Sequence, residues 1–252
     1  MIDTHCHLDL PVFDQDRQQV LERSQQAGVD QLVVPGLHLN RFQRLVALSG
    51  PTIHIALGLH PLFYSDHPKA SLSQLKEWLK TSNPIALGEI GLDFRHANAK
   101  QPQQIDLFCA QLALAKAFHL PVLLHVVKAH DQTLAILRRF NHPFGGIVHS
   151  FNGSLQQAQH YLDRGFLLGF GGVVTRQKAK KIRRVAASLP DSALVLETDS
   201  PDLPPAGREG LRNEPANLPL VVNTLAHLRG VSENHIIQTT RQNTQQLLGL
   251  NR

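Results

Sequence analysis

A single (β/α)8 TIM barrel is the fold class the sequence predicts, on three observations. Short apolar runs alternate with longer helical patterns along the chain, as expected of successive βα units feeding a parallel sheet. There are eight such runs, enough to close a barrel, and 252 residues suit one barrel domain spanning 1–252. Residue types that bind metal well, His5, His7, Glu89, His125, His149 and Asp199, close five of the runs. A barrel would gather them at the C-terminal ends of its strands as a metal site.

The first run, Ile2–His7, reads as a strand whose alternating side chains set His5 and His7 on one face and Cys6 on the other. A helix over Arg17–Ala27 leads to the strand Gln31–Pro35, then a helix over Arg41–Leu48 to the strand Ile53–Leu59. His60 falls in the loop that follows, before a helix over Leu72–Lys80. The strand Ile85–Ile90 carries Glu89. The next helix, Gln103–Phe118, repeats Ile105, Phe108, Leu112 and Ala115 at spacings of three and four, which predicts one apolar face and a polar outer one. His125 lies in the strand Val122–Val127, which precedes a helix over Asp131–Phe140. Two more pairs follow: Gly146–His149 with Leu155–Arg164, and Phe166–Gly169 with Lys178–Leu189. The eighth strand, Leu194–Glu197, runs into Thr198 and Asp199. Ser200–Asn213 is the longest loop, and Asn213-Glu214-Pro215 resembles a helix start, with a side-chain cap and a proline in the first turn. Helices over Pro215–Leu228 and Asn234–Leu248 end the chain.

Composition narrows the function classes. With 42% apolar and 18% charged residues, and Pro and Gly spread throughout, disorder is disfavoured. Two cysteines are too few for a disulfide framework, and MIDTHCHLDL lacks the basic-then-apolar plan of a secretion signal, so a reducing cytoplasm is expected. No apolar run approaches the roughly 18 residues that span a bilayer, so no membrane-embedded segment is expected, and nothing in the sequence supports peripheral attachment. No obligate protein partner is evident. A net charge of +5 favours a polyanionic partner. Gly169-Phe170-Gly171-Gly172 has neither the lysine nor the spacing of a phosphate loop.

The chemistry follows from the residue types. Two imidazoles on one strand face suit bidentate metal capture, and an unpartnered pair there would be costly. A carboxylate can bridge two cations, which makes Glu89 the candidate shared ligand, while Asp199 could both coordinate a cation and take a proton from water. Each residue alone could be a satisfied core group, and Glu89 could form a salt bridge to a nearby arginine; six together are poorly explained that way. Imidazole with carboxylate suits Zn²⁺ and admits Mn²⁺, Ni²⁺ or Fe²⁺, with Mg²⁺ a less usual choice. Two divalent ions about 3.5–4 Å apart would activate a water and stabilise the leaving oxygen, so a metal-dependent hydrolase is expected.

Six of the nine residues from Arg176 to Arg184 are basic, at a helix start where positive charge opposes the macrodipole. A solvated face and a phosphate-facing surface are both open for this run, and nucleic-acid binding without catalysis would rest on it alone.

At His5-Cys6-His7-Leu8-Asp9 the chain resembles the TatD family of metal-dependent deoxyribonucleases. The resemblance continues through Gly58-Leu59-His60-Pro61, Gly88-Glu89-Ile90-Gly91-Leu92-Asp93, His149-Ser150-Phe151-Asn152-Gly153, Glu197-Thr198-Asp199-Ser200-Pro201 and Asn213-Glu214-Pro215. It implies two ions, one on His5, His7, Glu89 and Asp199 and the other on Glu89, His125 and His149, with DNA shortened from its 3′ end. It also implies that His60 contacts phosphate or supports a ligand. Where the family usually has Ser-Arg after the fifth-strand histidine, this chain has Val126-Val127, so a cationic contact is missing; Arg95, Lys128 and Arg208 are the candidates to replace it. The departure also keeps open a binuclear hydrolase of a small ester, lactone or amide.

Overall fold

The computed structural model describes residues 1–67, 70–96 and 100–250. Among these, eight parallel strands form one sheet in consecutive order: β1 (Ile2–Asp3), β2 (Gln31–Pro35), β3 (Ile53–Leu57), β4 (Ala86–Asp93), β5 (Val122–Val127), β6 (Gly146–Val148), β7 (Phe166–Phe170) and β8 (Leu194–Leu196). The sheet closes where the first and last strands meet. Thr4 N donates to Leu196 O at 2.9 Å, Asp199 N to His5 O at 2.8 Å and His7 N to Ser200 O at 2.7 Å. Around it run α1 (Arg17–Gln26), α2 (Phe42–Leu48), α3 (Ser71–Ser82), α4 (Gln101–Ala117), α5 (His130–Phe140), α6 (Leu155–Leu162), α7 (Lys180–Ser188), α8 (Leu218–Arg229) and α9 (Glu233–Leu248). The architecture is the predicted (β/α)8 barrel. None of these helices is long and apolar enough to cross a membrane.

Strand alternation builds two apolar layers. Val33, Ala56, Ala86, Leu123, Ile147 and Val195 fill the barrel interior, and Leu248 from α9 packs into the same cluster. The residues between them, such as Leu32, Val34, Val122 and Leu124, face the helices. Two positions beyond Leu123 and Ile147 lie His125 and His149, so the period of two lifts both imidazoles above the interior layer.

Alternation alone would aim Gly88, not Glu89, into the barrel. The β4–β5 ladder shifts: Leu87 pairs with Val122 but Ile90 with Leu124, so β4 carries one extra residue. Leu87, Ile90 and Leu92 accordingly all join the outer core, while Glu89 and Asp93 turn inward. Gly91 makes this fit possible. Its φ is +141°, and a Cβ there would sit 2.0 Å from His125 O. Gly91→Ala should destabilise the fold by about 2–4 kcal/mol, combining backbone strain with overpacking. Urea denaturation checks this, and a loss below about 1 kcal/mol would mean that β4 readjusts freely.

Several boundaries differ from the sequence reading. β1 is a two-residue ladder rather than Ile2–His7, because the chain beyond Asp3 divides its bonds: Cys6 N still donates to Val33 O on β2, while Thr4 and His7 bond to the β8 side. The segment over Arg41–Leu48 splits into a 3₁₀ turn, Leu39–Arg41, and α2; that over Pro215–Leu228 splits likewise at Asn217. The helix start at Pro215 is present, but Asn213 does not cap it. Asn213 is buried, and its Nδ2 donates to Thr198 O and Asp202 O, each at 2.8 Å, so it ties down the loop that carries Asp199.

The face of α4 also departs from expectation. Ile105 is only partly buried, whereas Gln104 and Gln111 are buried with Phe108 and Leu112. Each glutamine amide brackets one backbone residue. Gln111 accepts from Leu59 N at 2.8 Å and donates to Leu59 O at 3.0 Å; Gln104 does the same for Asp93, at 2.8 and 3.1 Å. The two polar side chains thus satisfy strand ends that would otherwise be orphaned in the interior.

Candidate metal centre

Glu89 stands at the middle of the upper barrel, and its two oxygens face different imidazoles. Oε2 lies 3.2 Å from His5 Nε2 and 3.6 Å from His7 Nε2. Oε1 lies 2.8 Å from His125 Nδ1, 3.1 Å from His149 Nε2 and 3.4 Å from His60 Nε2. Asp199 Oδ1 completes the first side, 3.6 Å from His7 Nε2 and 3.8 Å from His5 Nε2. All six residues expected from the sequence converge here, and His60 joins them. Three groupings lie close enough to hold a cation: His5, His7 and Asp199; His5, Glu89 and His149; and His60, Glu89 and His125.

The donor set fits divalent cations. These separations bracket the edge of a ligand tetrahedron with bonds of about 2.0–2.1 Å, which is about 3.3 Å. Among the described residues no lysine or arginine comes within salt-bridge distance of Glu89 or Asp199, so an arginine partner does not account for Glu89.

Charge within the cluster is strongly coupled. Burial would raise the Glu89 carboxyl, but the surrounding His60, His5 and His149 and the hydrogen bond from His125 hold it well below the usual range. Burial would lower His149, yet Glu89 and Asp199 push it well above the usual imidazole value. His125 is likewise raised, with burial outweighed by its bonds to Asp93 and Glu89. His60 goes the other way, lowered by burial to about 4. Its Nδ1 accepts a hydrogen bond from Leu62 N at 3.1 Å, which assigns the ring proton to Nε2, facing Glu89. His60 is therefore built as a neutral N–H donor pointed into the site. That geometry suits the phosphate-contacting or supporting place expected for it more than ligation.

Four residues support the centre in ways the sequence reading did not assign. The Asp93 carboxylate lies 2.8 Å from His125 Nε2 and is gripped by Arg95, whose Nε lies 2.9 and 2.8 Å from its two oxygens. Glu197 Oε1 accepts from Ser150 N at 2.6 Å and lies 3.6 Å from His149 Nδ1. Gln104 and Asn213 hold the backbones described above. The available signal for Asp93 was its place two steps beyond Gly91 and four beyond Glu89 on one strand. Cys6, by contrast, behaves as expected: it packs in the outer core, and burial raises its thiol well above the usual value.

The centre opens into a cavity of about 540 Å³. Its walls beyond the polar cluster are largely apolar, with Leu10, Leu37, Leu62, Phe63, Val126, Val127 and Leu203. Of the three candidates for the missing cation, Arg95 lines this cavity and Lys128 and Arg208 do not. Nor do the residues of the basic run. Arg176, Lys181 and Arg183 donate instead to the carbonyls of Pro204, Asn152 and Val174.

A family model described as TatD related DNase matches residues 2–249. The chain belongs to the TatD family. A relative from Escherichia coli K12, named as the uncharacterized metal-dependent hydrolase YjjV, is 40% identical, with 99% of this chain and 98% of the relative aligned. The crystal structure of that TatD homologue superposes with a TM-score of 0.95, covering 98% of this chain and 97% of the other. A protein from Erwinia billingiae named as the 3'-5' ssDNA/RNA exonuclease TatD is 33% identical over 91% of this chain and 92% of its own length. Val126 and Val127, the pair where the resemblance leads to an expected Ser-Arg, both line the cavity of this chain.

Proposed function

We propose that this TatD-family metal-dependent hydrolase is a phosphodiesterase that removes nucleotides from the 3′ ends of DNA. Its site would hold one divalent ion on His5, His7, Glu89 and Asp199 and a second on Glu89, His125 and His149. The observation that carries this reading is the division of Glu89, each oxygen facing its own set of imidazoles. Bound there, the ions would supply an activated water and neutralise charge on the phosphodiester.

The chain's own residues account for the rest. Asp199 is held below the usual carboxylate range because its imidazole neighbours, His149 foremost, outweigh burial. It is therefore ionised and able to accept the proton of an attacking water. His60 Nε2–H is placed to donate to a phosphoryl oxygen. Asp93 orients the His125 ring, and Glu197 stands behind His149.

Protein loaded with Zn²⁺, Mn²⁺ or Mg²⁺ should shorten single-stranded DNA from its 3′ end. Intact DNA alongside rapid turnover of another ester or amide would defeat the DNA assignment. The apolar wall at Val126 and Val127 favours one other reading, a binuclear hydrolase of a small ester, lactone or amide, and the same substrate panel separates the two. Asp93→Asn should weaken metal affinity by about 10–100-fold, the effect typical of a support behind a histidine ligand. Metal titration checks this, and unchanged affinity would remove Asp93 from the centre.

A further inference from the structure

Arg95 is the one lysine or arginine among the described residues lining the cavity. It is also rigidly presented. Its backbone N donates to Asp93 Oδ1 at 3.0 Å, Nε reaches both carboxylate oxygens, and Nη2 lies 2.5 Å from Oδ2. Asp93 in turn stands on the far side of the His125 ring from Glu89: Nδ1 of that ring faces Glu89 and Nε2 faces Asp93. The guanidinium thus sits one imidazole and one carboxylate away from the shared carboxylate, beside the reacting centre rather than on it.

The other walls carry no fixed positive charge but do carry an aromatic face. Phe63 is 36% exposed on the 3₁₀ turn Pro61–Asp66, with Leu62 beside it and its ring centroid 5.7 Å from that of His60. Such a surface takes an unpaired base by stacking, and a guanidinium whose Nε–Nη2 edge holds Asp93 still offers its Nη1–Nη2 edge to a phosphate.

We infer that Arg95 anchors one phosphate next to the scissile one, and that Phe63 and its apolar neighbours take an unpaired base. The site then recognises a short single-stranded end of about two nucleotides rather than a long tract or a duplex. The inference rests on the phosphodiesterase reading and specifies its substrate. An arginine already bound to a carboxylate is preorganised, so little side-chain freedom is lost when phosphate arrives.

The test compares the dinucleotides dTpdT and pdTpdT, which differ by the one neighbouring phosphate, with single strands of three to eight nucleotides, using metal-loaded protein. Wild type should prefer pdTpdT by about 10–100-fold in kcat/KM, mostly through KM, as for a charge-assisted contact. Further nucleotides should add less than about threefold, and the preference for pdTpdT should shrink as salt rises, as screening weakens the contact with Arg95. Arg95→Gln should lose the preference for pdTpdT over dTpdT and flatten its salt dependence, a ratio taken within one metal-saturated variant and so independent of any change in rate common to both substrates. Phe63→Ala should raise KM for both dinucleotides by about tenfold or more.

An equal rate on the two dinucleotides, or a preference that survives Arg95→Gln, overturns the inference and leaves the phosphodiesterase reading standing. So does a rate that climbs with every nucleotide out to eight, which would point to a longer track reaching Lys181. No turnover of any of these phosphodiesters by wild type overturns both.

Discussion

Glu89→Gln should fold and yet lose turnover by at least about 1,000-fold. The substitution keeps the shape of the side chain but removes the charge that both sides of the centre share. A loss of that size corresponds to about 4 kcal/mol of transition-state stabilisation, within what bound cations supply. Elemental analysis should show the metal content of the variant reduced alongside kcat/KM. Cys6→Ala is the matched control: it lies on the same stretch as His5 and His7 but faces the outer core, so its rate should stay within about twofold of wild type. Comparable losses in the two variants would mean that the division of faces between Cys6 and the histidines is wrong.

Chelation should abolish hydrolysis, and restoring Zn²⁺ or Mn²⁺ should recover it, with a stability change whose pH dependence has a definite sign. Ligand imidazoles must be neutral to bind a cation. In the metal-free fold His7, His125 and His149 are all raised above the usual value, each by carboxylate neighbours that outweigh burial. Groups raised on folding stabilise the metal-free protein below their unfolded pKa of about 6.5, and that contribution is lost as pH rises through their folded values. Metal binding gains over the same interval, because fewer protons must be displaced. The melting-temperature increase on adding metal should therefore be larger at pH 8 than at pH 6. At a free metal concentration 1,000 times Kd it should correspond to about 4 kcal/mol. An increase equal at the two pH values would show that protons and cations do not compete for these rings.

The barrel was legible in the sequence because its strands are buried on both faces. β2 and β5 run over the same residues in sequence and structure, since nothing at their ends competes with the ladder. The site was legible to the extent that strand parity and residue type decide it: His125 and His149 follow directly from Leu123 and Ile147. Glu89 was singled out as a shared ligand by its residue type and its place in an apolar run, but the inserted residue in β4 that turns it inward shows only in the register against β5. Asp93 inherits the same shift, and its contact with His125 spans two strands, so its place on the strand hints at a role without fixing the partner. The buried glutamines of α4 were hidden by their polarity, which usually marks a solvent face. Asn213 was read as a helix cap because its neighbours fit that pattern, whereas its amide is engaged by a loop eleven to fifteen residues upstream.

The seam of the barrel and the candidate centre are built from the same few residues. His5, His7 and Asp199 flank the bonds that join the first strand to the last, nearly two hundred positions apart in sequence. During synthesis the triad they form cannot exist until the eighth strand has emerged and docked, so a nascent chain has only part of its binding capacity. A cation captured there would act as a clasp across the longest loop in the topology, where chain closure is entropically most demanding. The final ring closure of the architecture and the acquisition of its chemistry would then be a single event.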